Sequence, residues 1–249
     1  MGVSLVVRIF TVGLGLGGLA FGLLTLPGAW SSAALDDVAT RIVRSQPFRL
    51  EALLELTPAL EAVEHQDRCD ASSARSAAII RLRIAEETLA AADGPNIDSR
   101  FAAARNSIVS SLKCSPVDSF LWFGLFWIEV TTNGFKPEHL ELLRASYQQG
   151  PQEGWIMEKR SRLALAIYRS LPADLAERAV NEFASLLQPP FTTTAADILA
   201  GPGWHVRDIL LPRLANTPQA ERQLFSNILY SRNVDVEVPG IVRDDRPYR

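Results

Sequence analysis

The sequence predicts an all-α protein: antiparallel helical hairpins stacked as a short solenoid, with one hydrophobic helix in front and an extended tail behind. Three observations lead there. Alanine and leucine dominate an apolar content of 47%, a composition that favours helices over sheets. From Leu35 to about Leu187, segments with helical periodicity alternate with short breaks built on glycine and proline. The breaks also recur, since Pro116 and Pro151 lie 35 residues apart, as do Pro137 and Pro172.

Near the N-terminus lie 18 uncharged residues, 9–26, IFTVGLGLGGLAFGLLTL. That meets the lower limit for a transmembrane helix and exceeds the core of a typical signal peptide. Arg8 precedes the run, and Asp36 and Asp37 are the first charges after it. The positive-inside rule then leaves the N-terminus in the cytoplasm and exports everything beyond Pro27. The alternative is a cleaved signal peptide, for which Ser32-Ala33-Ala34 has the small-x-small form of a cleavage site. Both readings export the body, expected on the periplasmic side of a bacterial inner membrane. Gly13/Gly17 and Gly18/Gly22 have the spacing that lets two membrane helices approach closely.

The domains read from these patterns are 1–34, a membrane anchor or signal peptide; 35–188, the helical-repeat body; 189–232, capping helices; and 233–249, an extended or disordered tail. In the body, helices are expected near 48–64, 72–92, 98–113, 118–132, 137–149, 153–170 and 173–187. Pro58 makes the first of these kinked or two short helices. The helix at 118–132 has Asp118 or Ser119 as cap and is apolar almost all round, with Phe120, Trp122, Phe123, Phe126 and Trp127. Such a helix must be covered on several sides, which predicts a central position. Its one charge, Glu129, is expected at the helix edge, paired with an Arg or Lys. Asn133-Gly134 ends it, and Pro137 opens the next. Short breaks make successive helices antiparallel neighbours.

Beyond Gln188-Pro189-Pro190, helices are expected at 194–200, 204–214 and 218–232, the last with Thr217 as N-cap and Pro218 in the first position. They would cover the open end of the stack. Val234, Val236 and Val238 alternate in the tail, which reads as an arm laid on the body to about Val242.

With Pro116 as a terminal proline, Trp122 and Leu125 fall at the aromatic and leucine positions of a two-helix repeat. Leu142 and Ala145 fall at its large and small packing positions, and Ala104, Ile108 and Ser111 at those of the preceding second helix. In these residues, over about 72–187, the chain resembles the tetratricopeptide-repeat family. The resemblance implies paired helices that bind a partner on a concave face. The layout is also similar to membrane-anchored helical-repeat proteins that accompany bacterial polysaccharide synthesis and export.

Chemistry is sparse. A net charge of -3 argues against nucleic acid as partner. The sequence holds no H-E-x-x-H, no G-x-S-x-G and no phosphate-cradling glycine loop after a strand, and no metal or cofactor is expected. Trp155, Lys159 and Arg162 follow i, i+4, i+7 spacing, and Arg169 prolongs the stripe. This basic, aromatic stripe is the expected partner-binding site, able to grip a carboxylate, phosphate or acidic sugar. The two cysteines, Cys69 and Cys114, each follow a helix that ends on the same side of the hairpins, and an exported body would close them into a disulfide. The expected function is a non-enzymatic scaffold for protein partners of an envelope assembly, one for polysaccharide synthesis or export by its layout. The alternative is an exported envelope hydrolase with an unrecognised site.

Overall fold

The computed structural model describes residues 2–66, 69–151 and 153–242; within the first helix, the side chains of 2–9 and 21–32 lie outside that description. The described residues form twelve α-helices joined by short turns and 3-10 segments, and the chain divides into two compact units, residues 1–116 and 117–249.

In the first unit α1 (Gly2–Val43) is followed by two short helices, α2 (Leu50–Leu54) and α3 (Thr57–Glu64), and by the hairpin of α4 (Ala71–Ala90) and α5 (Gly94–Cys114). Pro58 sits in the first turn of α3, where its missing N–H is no loss. So the expected 48–64 segment is two helices, and each sends one fully buried leucine inward, Leu53 and Leu60. α4 is the hub on which α1, α2, α3 and α5 all pack. Small side chains make that possible: Ser73, Ser76, Ala77, Ala78 and Ala85 are buried beside Ile79, Ile80, Leu82 and Ile84. The C-terminal end of α1 docks on α4 through Leu35 and Ala39. There the Ser72 and Ser76 hydroxyls donate to the Asp36 carboxylate. The α4–α5 turn is tied by Arg100, which donates to Asp93 at 3.1 Å and to the Thr88 hydroxyl at 2.9 Å. At the other end of the hairpin Cys69 and Cys114 form the expected disulfide, with Cα atoms 5.7 Å apart.

No helix among the described residues is long and apolar enough to cross a membrane. The uncharged run of 9–26 is described in its side chains only at residues 10–20; 9 and 21–26 lie outside. Within 10–20, Phe10, Val12, Leu14, Leu16 and Leu19 are all exposed.

The second unit packs its helices largely in adjacent pairs. They are α6 (Ser119–Asn133) with α7 (Leu140–Gln149), α8 (Gly154–Ala166) with α9 (Ala173–Ser185), and α10 (Thr192–Ala200) with α12 (Gln219–Ser231), while α11 (Arg207–Arg213) lies against α9. Asp118 caps α6 by accepting from the Leu121 N–H at 3.0 Å. Gly134 ends it in the left-handed region, at φ 71°, a conformation glycine adopts without steric penalty. One core runs through these helices, from Phe126 and Leu143 through Leu175 and Phe183 to Phe225 and Leu229.

Three local expectations change. Trp122 is half-buried, and Phe120, Leu121, Phe123 and Phe126 are the enclosed side chains of α6. In α7 the buried positions are Leu140, Leu143, Ser146 and Tyr147, one residue beyond the repeat positions assigned to Leu142 and Ala145. A 3-10 turn, Pro137–His139, leads into α7, and α7 meets α6 with the face that carries the buried residues. Finally, Pro218 and not Thr217 is the N-cap of α12. Glu129 accepts the Asn133 side-chain amide at 2.8 Å, one turn along its own helix.

The arm is present as far as it is described. Residues 233–242 leave α12 and lie on the core, with Val238 buried and Val234, Val236 and Ile241 partly so. Arg222 holds it, donating to the Pro239 carbonyl and, at 2.9 Å, to that of Thr217. The expected disorder beyond Val242 falls on residues 243–249, outside the described residues.

Candidate functional site

The predicted stripe lies on α8, and the structure divides it. Trp155, in the first turn, packs on the Phe120 ring of α6 with centroids 4.7 Å apart and planes inclined at 46°. Lys159 reaches the same ring, its Nζ 6.0 Å from the centroid, at the outer limit of a cation–π contact. Arg162, one turn further along that face, is exposed. These three residues share a surface. Arg169 does not belong to it. It stands past the end of α8 in the 3-10 turn Tyr168–Ser170 and lines a different recess with Ser170 and His205. Beside the stripe, Glu158 accepts the Thr194 hydroxyl at 3.1 Å, fixing α8 to α10.

Between Lys159 and Arg162 lies a residue that the spacing argument passed over. Arg160 points the other way and is fully buried, one helical turn from Ile156 and Ala164 on the inner face of α8. It pairs with Glu182 of α9, Nε lying 2.9 Å from Oε2, and the pair's side chains are 0% and 2% exposed. Its other nitrogens donate to the Ser146 hydroxyl and the Gly150 carbonyl, each at 3.0 Å. Its guanidinium lies over the Tyr147 ring, 4.1 Å from the centroid. Glu182 also accepts from the hydroxyls of Ser161 at 3.1 Å and Tyr147 at 3.4 Å. The Ser146 hydroxyl in turn donates to the Ser119 carbonyl at 2.8 Å. One guanidinium and one carboxylate thus join α6, α7, α8 and α9.

Charge burial of this kind is tolerated only with most hydrogen-bonding capacity filled. Burial pushes the Glu182 carboxyl above the usual carboxylate range, against the opposing pull of Arg160, Ser161 and Tyr147. Burial also pushes the Tyr147 phenol well up, and the negative charge of Glu182 adds to it. These groups are closed off from the surface, and the cluster fastens four helices to one another. Among the described residues no three of His, Cys, Asp and Glu come together in a way that would hold a metal ion.

No protein-family model, curated protein or solved structure matches the chain. What stands is an all-helical protein whose helices pack in adjacent pairs.

Proposed function

We propose that the protein is a membrane-anchored, non-enzymatic interaction scaffold whose helical body stands on the periplasmic side of a bacterial inner membrane. The observation that carries this reading is α1. It is a single helix of 42 residues, about 63 Å long at 1.5 Å per residue. Its far end is locked to α4 by Leu35, Ala39 and Asp36, while Phe10, Val12, Leu14, Leu16 and Leu19 stand 59% to 67% exposed. An uncovered apolar surface of that extent marks an interaction site, and an uncharged helical run suits lipid. The Cys69–Cys114 bond supports export, because such bonds persist in oxidising compartments.

The partner face of the scaffold is the Trp155–Lys159–Arg162 surface, and the paired-helix architecture is the feature it has in common with tetratricopeptide-type binders. The envelope assembly it serves is one for polysaccharide synthesis or export, a reading that rests on layout. The test is topology. A reporter active only outside the cytoplasm, fused after Arg249, should be active, and a cytoplasm-active reporter there should be silent. The reverse pattern would overturn the reading. A mature chain that begins near Leu35 would remove the anchor and leave export standing. On the partner side, replacing both Lys159 and Arg162 with Glu should abolish co-purification of envelope proteins while the thermal melt is unchanged.

A further inference from the structure

Cys69 and Cys114 join the start of α4 to the end of α5, and the two cysteines stand in unlike settings. Cys69 is exposed and Cys114 is half-buried. Both line a recess of about 350 Å³, whose wall runs from the buried Ala77 and Ser107 to the exposed Ser110 and Lys113. The bond therefore lies at the surface, beside a space large enough for an incoming thiol. Enclosed disulfides are structural, whereas exposed ones exchange with thiols.

The helix ends separate the roles of the two sulfurs. Cys69 lies two residues before the first residue of the 20-residue α4, where the positive end of the helix favours a thiolate. The carboxylate of Asp70 opposes this, but it is engaged with the Ser72 N–H at 3.2 Å and the Ser73 hydroxyl at 2.5 Å. Cys114 is the last residue of α5, where the negative end of the helix disfavours a thiolate. The surrounding elements are held without the bond. Leu60 fixes α3, Ala77 and Ile80 fix α4, Phe101 and Ile108 fix α5, and Glu64 of α3 accepts from Arg81 of α4 at 2.9 Å.

We propose that Cys69–Cys114 is a thiol–disulfide exchange site whose partner is a protein dithiol. One thiolate of the partner attacks Cys69 Sγ and forms a mixed disulfide. The Cys69–Cys114 bond breaks, and the Cys114 thiolate leaves and takes a proton. The partner's second thiolate then attacks its own sulfur in the mixed disulfide and releases Cys69, which takes the second proton. Two electrons and two protons pass to this chain, which ends with two thiols while the partner ends with a disulfide. In the reverse direction Cys69 is the attacking thiolate and Cys114 resolves.

The test uses the full oxidised chain in detergent micelles at neutral pH. Dithiothreitol should reduce the native chain within about tenfold of the rate for the urea-unfolded chain, with the helical circular dichroism unchanged. Reduced thioredoxin, as a protein dithiol, should do the same, and oxidised glutathione should restore the bond. On the reduced native chain, limiting iodoacetamide followed by peptide mass mapping should label Cys69 about tenfold faster than Cys114. Native reduction slower by about a hundredfold or more, or only with loss of the helical signal, would overturn the proposal and leave the bond purely structural. Reduction by dithiothreitol but not by thioredoxin would overturn the protein partner, and labelling of Cys114 first would overturn the assigned roles. The proposal does not rest on the scaffold reading, since purified chain answers it whatever the topology reporters show.

Discussion

Arg160 of α8 and Glu182 of α9 form an ion pair closed off from water, with side-chain exposures of 0% and 2%. Every nitrogen of the guanidinium has a partner, and both carboxylate oxygens accept. In such a site the loss of one partner is far worse than the loss of both, because a lone buried charge keeps its desolvation penalty. Glu182→Ala should therefore destabilise the protein by about 3–5 kcal/mol, whereas Arg160→Met combined with Glu182→Leu should cost markedly less. Urea unfolding of Arg160→Met, of Glu182→Leu and of the double variant measures the coupling. Near-additive losses would contradict the coupling.

Tyr147 provides a pH signature of the same cluster. Its folded-state pKa is raised, first by burial and then by Glu182. The stability tied to the neutral phenol is therefore fully present below about pH 10 and lost as pH rises through the folded-state value. Ultraviolet absorbance of tyrosinate reads it. At about pH 10.5, Tyr147→Phe should leave the native signal unchanged and reduce the signal gained on unfolding. A drop in the native signal would mean that Tyr147 titrates in contact with water.

Two glycines are placed where backbone and side chains come close. A Cβ on Gly150 would lie 2.7 Å from Ser119 Cβ and 2.9 Å from Glu153 Oε1, and the Gly150 carbonyl is needed by Arg160. One on Gly154 would lie 2.6 Å from two atoms of the Phe191 ring. Overpacking of this kind costs about 1–3 kcal/mol. Gly150→Ala should show it in full, in a chemical melt. Gly154→Ala should lose less, since alanine regains up to about 1 kcal/mol of helix propensity.

The disulfide encloses a separation of 45 residues, for which chain entropy assigns about 4 kcal/mol. Cys69→Ala with Cys114→Ala should lower stability by up to that amount, without altering the α4 and α5 helices seen by circular dichroism. Thiol labelling of the unfolded, unreduced chain should find no free thiol, and two per chain would exclude the bond.

Much of this architecture is local in origin and could be read from the sequence. Pro58, Gly134, Pro137 and the Asp118 cap act on their own neighbours, so the helix ends follow from residue chemistry within a turn or two. The Cys69–Cys114 pairing followed from counting helices up and down. The alternation of Val234, Val236 and Val238 likewise marked a segment that lies on the core. Tertiary structure decided the rest, and it did so where distance along the chain is large. The one-residue shift that buries Leu143 and Tyr147 rather than Leu142 and Ala145 is set by the packing of α7 on α6, which no single residue announces. In the first unit small-residue α4 is the hub, because alanines and serines permit the close approach of four helices. The Arg160–Glu182 pair left a trace: opposite charges sit within the apolar stripes of two successive helices, Ile156/Arg160/Ala164 and Leu175/Ala179/Glu182. Only the packing of α8 against α9 could say that the two charges meet. Burial makes a charge tolerable only beside its partner, and the fold, not the spacing, brings that partner within 3 Å.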